Sequence, residues 1–290
     1  MTNCSKARAA AMLTMTILAG MTSVSCSMNE PDTFSSASNP GYPLHTRIVS
    51  TTFWVGEIFR PKLPDGSQVC STYDSQWAYH WSGVDKGVVP RHAIACQGSI
   101  KGGCDGIANA SGTKCHTEIR TAVNHYFPTS GPDPKQNPFY LDLPYDDLND
   151  PIGYADRCRI IPWANEPGYA GHCTDRSFSY MKNRWVEITG PNGGTCYGQI
   201  EDAGPSHGNL YHDADYVFGQ NNARPVQTHF NNAGMDVSPA LNGCLGFAAL
   251  NGDHDHITWQ FVDAASVPTG PWKIIVTRSG VYEKPAPRRR

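Results

Sequence analysis

The sequence predicts a mainly β, loop-rich domain held together by disulfides. Three observations carry that expectation. Glycine and proline are abundant, 28 and 22 of 290 residues, which favours turns and short strands over long helices. Runs dense in β-branched and aromatic residues stand near both ends of the chain. Of ten cysteines, Cys4 and Cys26 lie in an N-terminal export region. The other eight form an even set with no C-x-x-C pair, which points to disulfides and away from a zinc ribbon.

The elements follow in chain order. Residues 1–8 carry Lys6 and Arg8, residues 9–21 are apolar, and small residues lead into Cys26 (TSVSC). A basic start, a short apolar stretch and a small-residue exit describe a signal peptide over 1–25. The apolar stretch falls short of the ~20 residues of a spanning helix. The residues before Cys26 resemble a bacterial lipobox, with Ser23 where leucine is usual, so Cys26 is a lipidation candidate and a lipid anchor to the membrane is one expectation. Residues 26–45, rich in Ser, Pro and Asn, read as a flexible tether. A folded domain is expected over 46–282, and the basic tail 283–290 (EKPAPRRR) reads as disordered.

Within the domain, residues 47–57 (RIVSTTFWVGE) read as a strand. Residues 184–189 (RWVEIT), 190–194 (GPNGG) and 195–200 (TCYGQI) read as a β-hairpin with a Gly-rich connection. Residues 257–263 (ITWQFVD) and 272–278 (WKIIVTR) read as two further strands. Short helices are expected in 111–125, 177–184 and 238–245, the last with Ser238 as N-cap and Pro239 at the first helical position. Residues 60–180 read as a long, loop-rich insertion pinned by disulfides. Eight cysteines allow 105 connectivities. Cys104–Cys115 and Cys158–Cys173 each close a short Gly- or Pro-bearing loop; Cys196–Cys244 is a longer-range pairing, and Cys70–Cys96 follows by elimination. Trp163, Trp185, Trp259 and Trp272 are assigned to the core.

Charge narrows the partners. The formal net charge is −3, and removing 1–25 takes away Lys6 and Arg8 and no acid, leaving −5. A nucleic-acid binder needs a basic face, so no nucleic acid is expected, and a neutral ligand such as a sugar fits better. A monomer is expected. No G-x-S-x-G elbow and no G-x-x-x-x-G-K-[ST] loop is present. No cofactor and no metal are expected: the run Asp253-His254-Asp255-His256 and the loop carrying His207, His212, Asp213 and Asp215 are weak ligand sets.

Two acids stand out by their setting. Asp202 ends the second hairpin strand in Asp202-Ala203-Gly204-Pro205. Asp236 ends an extended segment that enters the helix at Ser238-Pro239. A carboxylate at a strand end beside a rigid turn can be aimed into a groove, and glycosidic cleavage needs such groups as acid, base or nucleophile. The alternative is a turn brace at Asp202 and a helix-start brace at Asp236.

The runs RWVEITGPNGGTCYGQIEDAGP, AGMDVSPALNGCLG and ITWQFVD, in this order and spacing, resemble the double-psi β-barrel superfamily. In its rare lipoprotein A group, a hairpin ends in Asp-x-Gly-Pro and an Asp-Leu-Ser motif opens a helix some thirty residues later. Here these are Asp202-Ala203-Gly204-Pro205 and Asp236-Val237-Ser238, with Val for Leu; residues 51–57 (TTFWVGE) resemble the aromatic first strand. The match covers about 181–278 and that strand. It implies a six-stranded barrel with an open glycan groove. It also implies activity on peptidoglycan or a plant β-glucan, as in lytic transglycosylases or family 45 glycoside hydrolases; the alternative is non-catalytic binding or wall loosening, as in expansins. Asp236 matches the helix-opening acid and Asp202 the acid of the lytic group. The family 45 base lies on the first strand in a Tyr-Trp-Asp context; this chain has Phe53-Trp54-Val55, leaving Glu57 as the nearest acid and a possible helper, placed on the same strand face.

Trp54, Tyr73, Trp77 and Trp81, with Phe53 and Tyr79 beside them, are candidates for a sugar-stacking platform, and core packing is the competing assignment. Asp142, Asp146 and Asp147 read as solvated turn acids, with a groove edge as the alternative. A secreted or cell-envelope protein is the expected setting.

Overall fold

The aromatic and β-branched run near residue 50 becomes β1 (His45–Thr52), the first of six strands in a closed barrel. The computed structural model describes residues 41–57, 68–85, 102–110, 114–208, 210–250 and 254–282. The signal-peptide segment, Cys26, Cys96, Asp253 and the basic tail lie outside these residues.

After β1 come α1 (Trp77–Ser82) and a two-stranded ribbon of β2 (Ile107–Ala108) and β3 (Cys115–His116). They are followed by β4 (Tyr140–Leu143) and α2 (Pro151–Ile160). The predicted hairpin forms as β5 (Trp185–Thr189) and β6 (Thr195–Ala203). Its connection is closed by Gly190 N–H to Gly194 and Gly193 N–H to Gly190. Next are α3 (Ala214–Val217), β7 (Met235–Val237), α4 (Pro239–Leu245) and β8 (Asp255–Val262). Around the barrel the order is β1-β7-β4-β6-β5-β8. Two parallel pairs, β1 with β7 and β4 with β6, flank the antiparallel pair of β7 and β4. The fold is mainly β, as the sequence predicts.

Alternation along the strands sets what faces the core. Leu141 pairs with Ile200 on one side and Val237 on the other, and all three are fully buried. They join Val186, Ile188, Trp259 and Phe261 in the main cluster, where each buried large apolar side chain contributes about 1.5–3 kcal/mol. Trp163, Trp185, Trp259 and Trp272 all pack in this cluster. α4 starts where the sequence places it: Ser238 Oγ accepts the Leu241 N–H at 3.2 Å, and Pro239 follows.

The three expected pairs Cys104–Cys115, Cys158–Cys173 and Cys196–Cys244 are formed. Cys70 is disulfide-bonded as well, and Cys96, its expected partner, lies outside the described residues. Such disulfides indicate an extracellular or envelope setting. No helix among the described residues is long and apolar enough to cross a membrane.

Several expectations are corrected. The stretch 60–180 is not all insertion, because β4 is a barrel strand between β7 and β6. Its four residues lie between Pro- and Asp-rich loops, too short a run for a period-2 pattern to register. The tether ends before residue 45: Tyr42 packs edge-on against Trp163 and Phe261. Residues 272–278 form a 3₁₀ turn (Pro271–Lys273) and an irregular segment, not a strand. Gln199 holds that segment, its Oε1 accepting the Thr277 N–H at 2.9 Å. In 111–125 there is β3 and a 3₁₀ turn (Ala122–Asn124) where a helix is expected, and 177–184 is a series of turns.

Candidate active site

The barrel's register brings the two motif acids together through a third. Asp142 on β4 is in register with Asp202 on β6 and with Asp236 on β7. Residues directly opposite on adjacent strands share a face, so the three carboxyl groups form a ladder across the wall, on the side away from Leu141 and Val237. On β6 the pairing slips by one residue at Glu201, which brings Asp202 level with Asp142. Glu201 itself is buried and ion-paired with Lys182.

Local structure fixes each acid. Asp202 Oδ1 accepts the N–H groups of Thr72 at 2.8 Å and Ala203 at 2.9 Å. Asp142 Oδ1 accepts the Asp236 N–H at 3.1 Å. Its Oδ2 lies against Gly204, where a Cβ would sit 2.8 Å away. The glycine of the Asp-x-Gly-Pro motif therefore makes room for the Asp142 carboxyl. Asp142 is 3% exposed and Asp202 8%, whereas Asp236 is half-buried. Asp236 Oδ1 is buried with no hydrogen-bond partner among the described residues.

Glu57 reaches the same place by a different route from the one expected. β1 stops at Thr52, and residues 54–57 form a turn closed by the Glu57 N–H to the Trp54 carbonyl at 2.9 Å. Gly56 at φ +81° supplies the left-handed position; its Cβ would strike Cys104 at 2.5 Å. Glu57 thus lies off the strand face, 9% exposed, with Oε2 accepting the Trp54 N–H at 3.3 Å.

Burial and crowding disfavour the charged forms. Burial pushes Glu57 up to about 9; the Trp54 N–H opposes the rise and the nearby Asp236 charge adds to it. Burial, helped by the Asp202 charge, pushes Asp236 up to about 7. Burial first, then the charges of Asp236 and Asp202, holds Asp142 well above the usual carboxylate range. At neutral pH Glu57 is neutral, and Asp236 is poised between its two forms. Asp236 combines a reachable carboxyl, an unpartnered oxygen and a pKa matched to proton transfer near neutrality. A carboxyl with a pKa near 9 cannot serve as the ionised base of a hydrolase, so Glu57 fits that role poorly.

The aromatic platform is corrected. Tyr73, Trp77 and Trp81 are fully buried. Trp77, Trp81 and Phe53 pack around Tyr140, whose hydroxyl donates to Asp105 at 2.9 Å. Trp54 is half-buried on the Cys104–Cys115 disulfide. These rings are packing residues because α1 and the turn after β1 cover β4 from outside. Asp142, Asp146 and Asp147 are not solvated turn acids. Asp146 Oδ1 takes the N–H groups of Leu148 and Asn149, and Asp147 takes the Ser179 hydroxyl, the Tyr180 N–H and an ion pair with Arg157.

Two pairings were not legible in the sequence. Asp142 looked like any acid in an Asp-rich loop; its role follows from pairing partners about 60 and 94 positions away. The imidazoles of His207 and His229 stack with centroids 3.5 Å apart, joining the loop after Asp202 to the loop before β7. Both are exposed, as is the neighbouring Phe230. Among the described residues no group of three His, Cys, Asp or Glu side chains could hold a metal ion. No protein-family model matches the chain, and no curated protein matches its sequence.

Proposed function

We propose that this is an exported, polysaccharide-active protein of the double-psi β-barrel type that cleaves glycosidic bonds of a cell-wall glycan. Two parallel pairs flanking one antiparallel pair in a closed six-stranded barrel support the fold assignment. The observation that carries the chemistry is the ladder Asp236–Asp142–Asp202.

Asp236 is the acid. Protonated, it gives its proton to the glycosidic oxygen as the C1–O bond breaks. With Glu57 neutral and Asp202 Oδ1 held by two backbone N–H groups, no well-placed free carboxylate among the described residues activates water. Lytic transglycosylation needs none. The sugar's own 6-hydroxyl attacks C1, its proton passes to the Asp236 carboxylate, and the products are a 1,6-anhydro end and a free hydroxyl end. Asp142 positions Asp236 through its backbone N–H. The shortage of a second free carboxylate also favours the alternative, a non-catalytic expansin-like module that binds or loosens glycan. Lipid anchoring through Cys26 would hold either form at a membrane facing the wall.

Incubation of the mature protein with peptidoglycan sacculi and with soluble β-glucans, followed by mass analysis, tests the proposal. Anhydro ends mean transglycosylation, and new reducing ends mean hydrolysis. Binding without release from any glycan supports the alternative and rejects the enzyme.

A further inference from the structure

The geometry points to a subsite for a carboxylate-bearing sugar next to the acid ladder, built on Arg47 and Arg224. A cleft of about 440 Å³ opens beside β1 and is lined by Arg47, Arg224, Asn231, Asn232 and His256, with Ile48 and Val49 as part of its wall. Its volume lies in the range of small-ligand sites. No acid among the described residues lines it, in a chain whose net charge is −3. Arg120, Arg157, Arg159 and Arg184 are each paired with an aspartate. Arg47 and Arg224 form no ion pair among the described residues.

The backbone is shaped to present these groups. Arg47 has φ +57° and sits at an irregularity in the pairing of β1 with β8. Phe230, Asn231 and Asn232 are three consecutive left-handed residues, at φ +51°, +56° and +57°. Non-glycine residues in this region are strained, and such strain concentrates at ligand sites. Arg224 Nη1 is fixed by the carbonyls of Thr46 at 2.7 Å and Arg47 at 3.1 Å, which orients its guanidinium. Asn231 Nδ2 is bonded to His254 Nδ1 at 3.0 Å, and the two guanidinium groups with the Asn232 amide offer donors that bond most strongly to a negatively charged oxygen. Phe230, next in the chain to the lining residue Asn231, is 54% exposed and has a ring face a pyranose could stack on.

The cleft and the proposed acid are related through β1. Thr51 is in register with Asp236, and Val49 is two residues earlier on β1, roughly 7 Å away. Asn231 and Asn232 lead directly into β7, which carries Asp236. A sugar in the cleft therefore belongs to the same glycan that presents its linkage to Asp236. The inference rests on the proposed function and adds the substrate class, a glycan with carboxylates, whether uronic acids or the lactyl and peptide carboxylates of peptidoglycan.

The test is calorimetric binding at low and physiological salt with four probes: oligogalacturonate, its methyl ester, soluble uncrosslinked peptidoglycan strands, and neutral chito-oligosaccharide. The wild type, Arg47→Asn and Arg224→Gln are compared. Asparagine tolerates the left-handed backbone at 47, and glutamine can still donate to the two carbonyls held by Arg224. Each variant is expected to weaken the charged probe by about fivefold, the scale of one charge-assisted contact, and to leave the neutral probe unchanged. A preference for oligogalacturonate or for peptidoglycan strands over its neutral counterpart, lost in the variants, supports the subsite and says which carboxylate it takes. Equal affinity for charged and neutral glycans, or a preference unchanged in both variants, overturns it. Glycan cleavage is measured separately. Cleavage without charge preference rejects only the subsite, and charge preference without cleavage rejects only the enzyme.

Discussion

Replacing Asp202 by asparagine is expected to lower the pKa of Asp236 from about 7 toward 6. Both acids pair with Asp142, so two strand spacings, roughly 9.5 Å, separate their backbones. At an effective dielectric constant near 20, two charges that far apart repel by about 1.7 kcal/mol, a little over one pH unit. Asparagine keeps the Oδ1 that accepts the Thr72 and Ala203 N–H groups, so the turn survives and only the charge is lost. The assay is a carbon-13 NMR titration of the side-chain carboxyls, with Asp236 assigned by its loss in Asp236→Asn. A midpoint that moves by less than about 0.3 pH unit would mean that the two carboxyls do not share one face, and the acid-ladder mechanism would be refuted.

Glu57→Gln should change how stability depends on pH. The folded pKa of Glu57 is raised, so its contribution is complete below about pH 4.5 and is lost as pH rises through about 9. That loss reaches at most about 6 kcal/mol. Urea midpoints at pH 5 and pH 9 should therefore converge in the variant; an unchanged difference would contradict the burial of Glu57. Gly204→Ala places a Cβ 2.8 Å from Asp142 Oδ2 and should destabilise by about 1–3 kcal/mol. Thermal unfolding checks this, and a wild-type Tm would show that the two groups are not in contact. Removing Cys196 and Cys244 together opens a 48-residue separation and should lose about 4 kcal/mol, against about 3 for the 15-residue Cys158–Cys173 link. Urea unfolding of the two double alanine variants gives the order, and the reverse order would contradict the loop-closure account.

The sequence made visible what local chemistry dictates. The hairpin of β5 and β6 shows in its β-branched run and Gly-rich turn, and α4 shows in Ser238-Pro239. Two of the disulfides, Cys104–Cys115 and Cys158–Cys173, show in loop lengths. What stayed hidden depends on pairing between distant segments. β4 is four residues long, and nothing in YLDL marks it as the strand between β6 and β7. Asp142 inherits that invisibility. The aromatic residues of 73–81 were legible as a cluster, but their direction depends on which surface α1 covers, and that surface is the outer face of β4. Arg47 and Arg224 are far apart in the chain and become one cleft only because Arg224 bonds the Thr46 and Arg47 carbonyls.

The acid ladder is an expensive way to brace a barrel wall. An asparagine at 142 could accept the Asp236 N–H without titrating, and one at 202 could accept the N–H groups of Thr72 and Ala203. The Asp202 charge adds to the raised pKa values of Asp142 and Asp236, and the contribution of Asp236 and Glu57 to stability falls as pH rises from 5 to 7, because both bind protons more tightly folded than unfolded. Under the proposed function, proton transfer accounts for that arrangement. Burial and the Asp202 charge bring the pKa of Asp236 to about 7, and Asp236 is the most exposed residue of the three in the ladder. If Asp142→Asn and Asp202→Asn both gain stability at pH 8 while glycan cleavage is lost, the conflict between stability and chemistry is measured at the residues that create it. If both variants lose stability and cleavage together at every pH, the ladder is a brace and Asp236 has no special part.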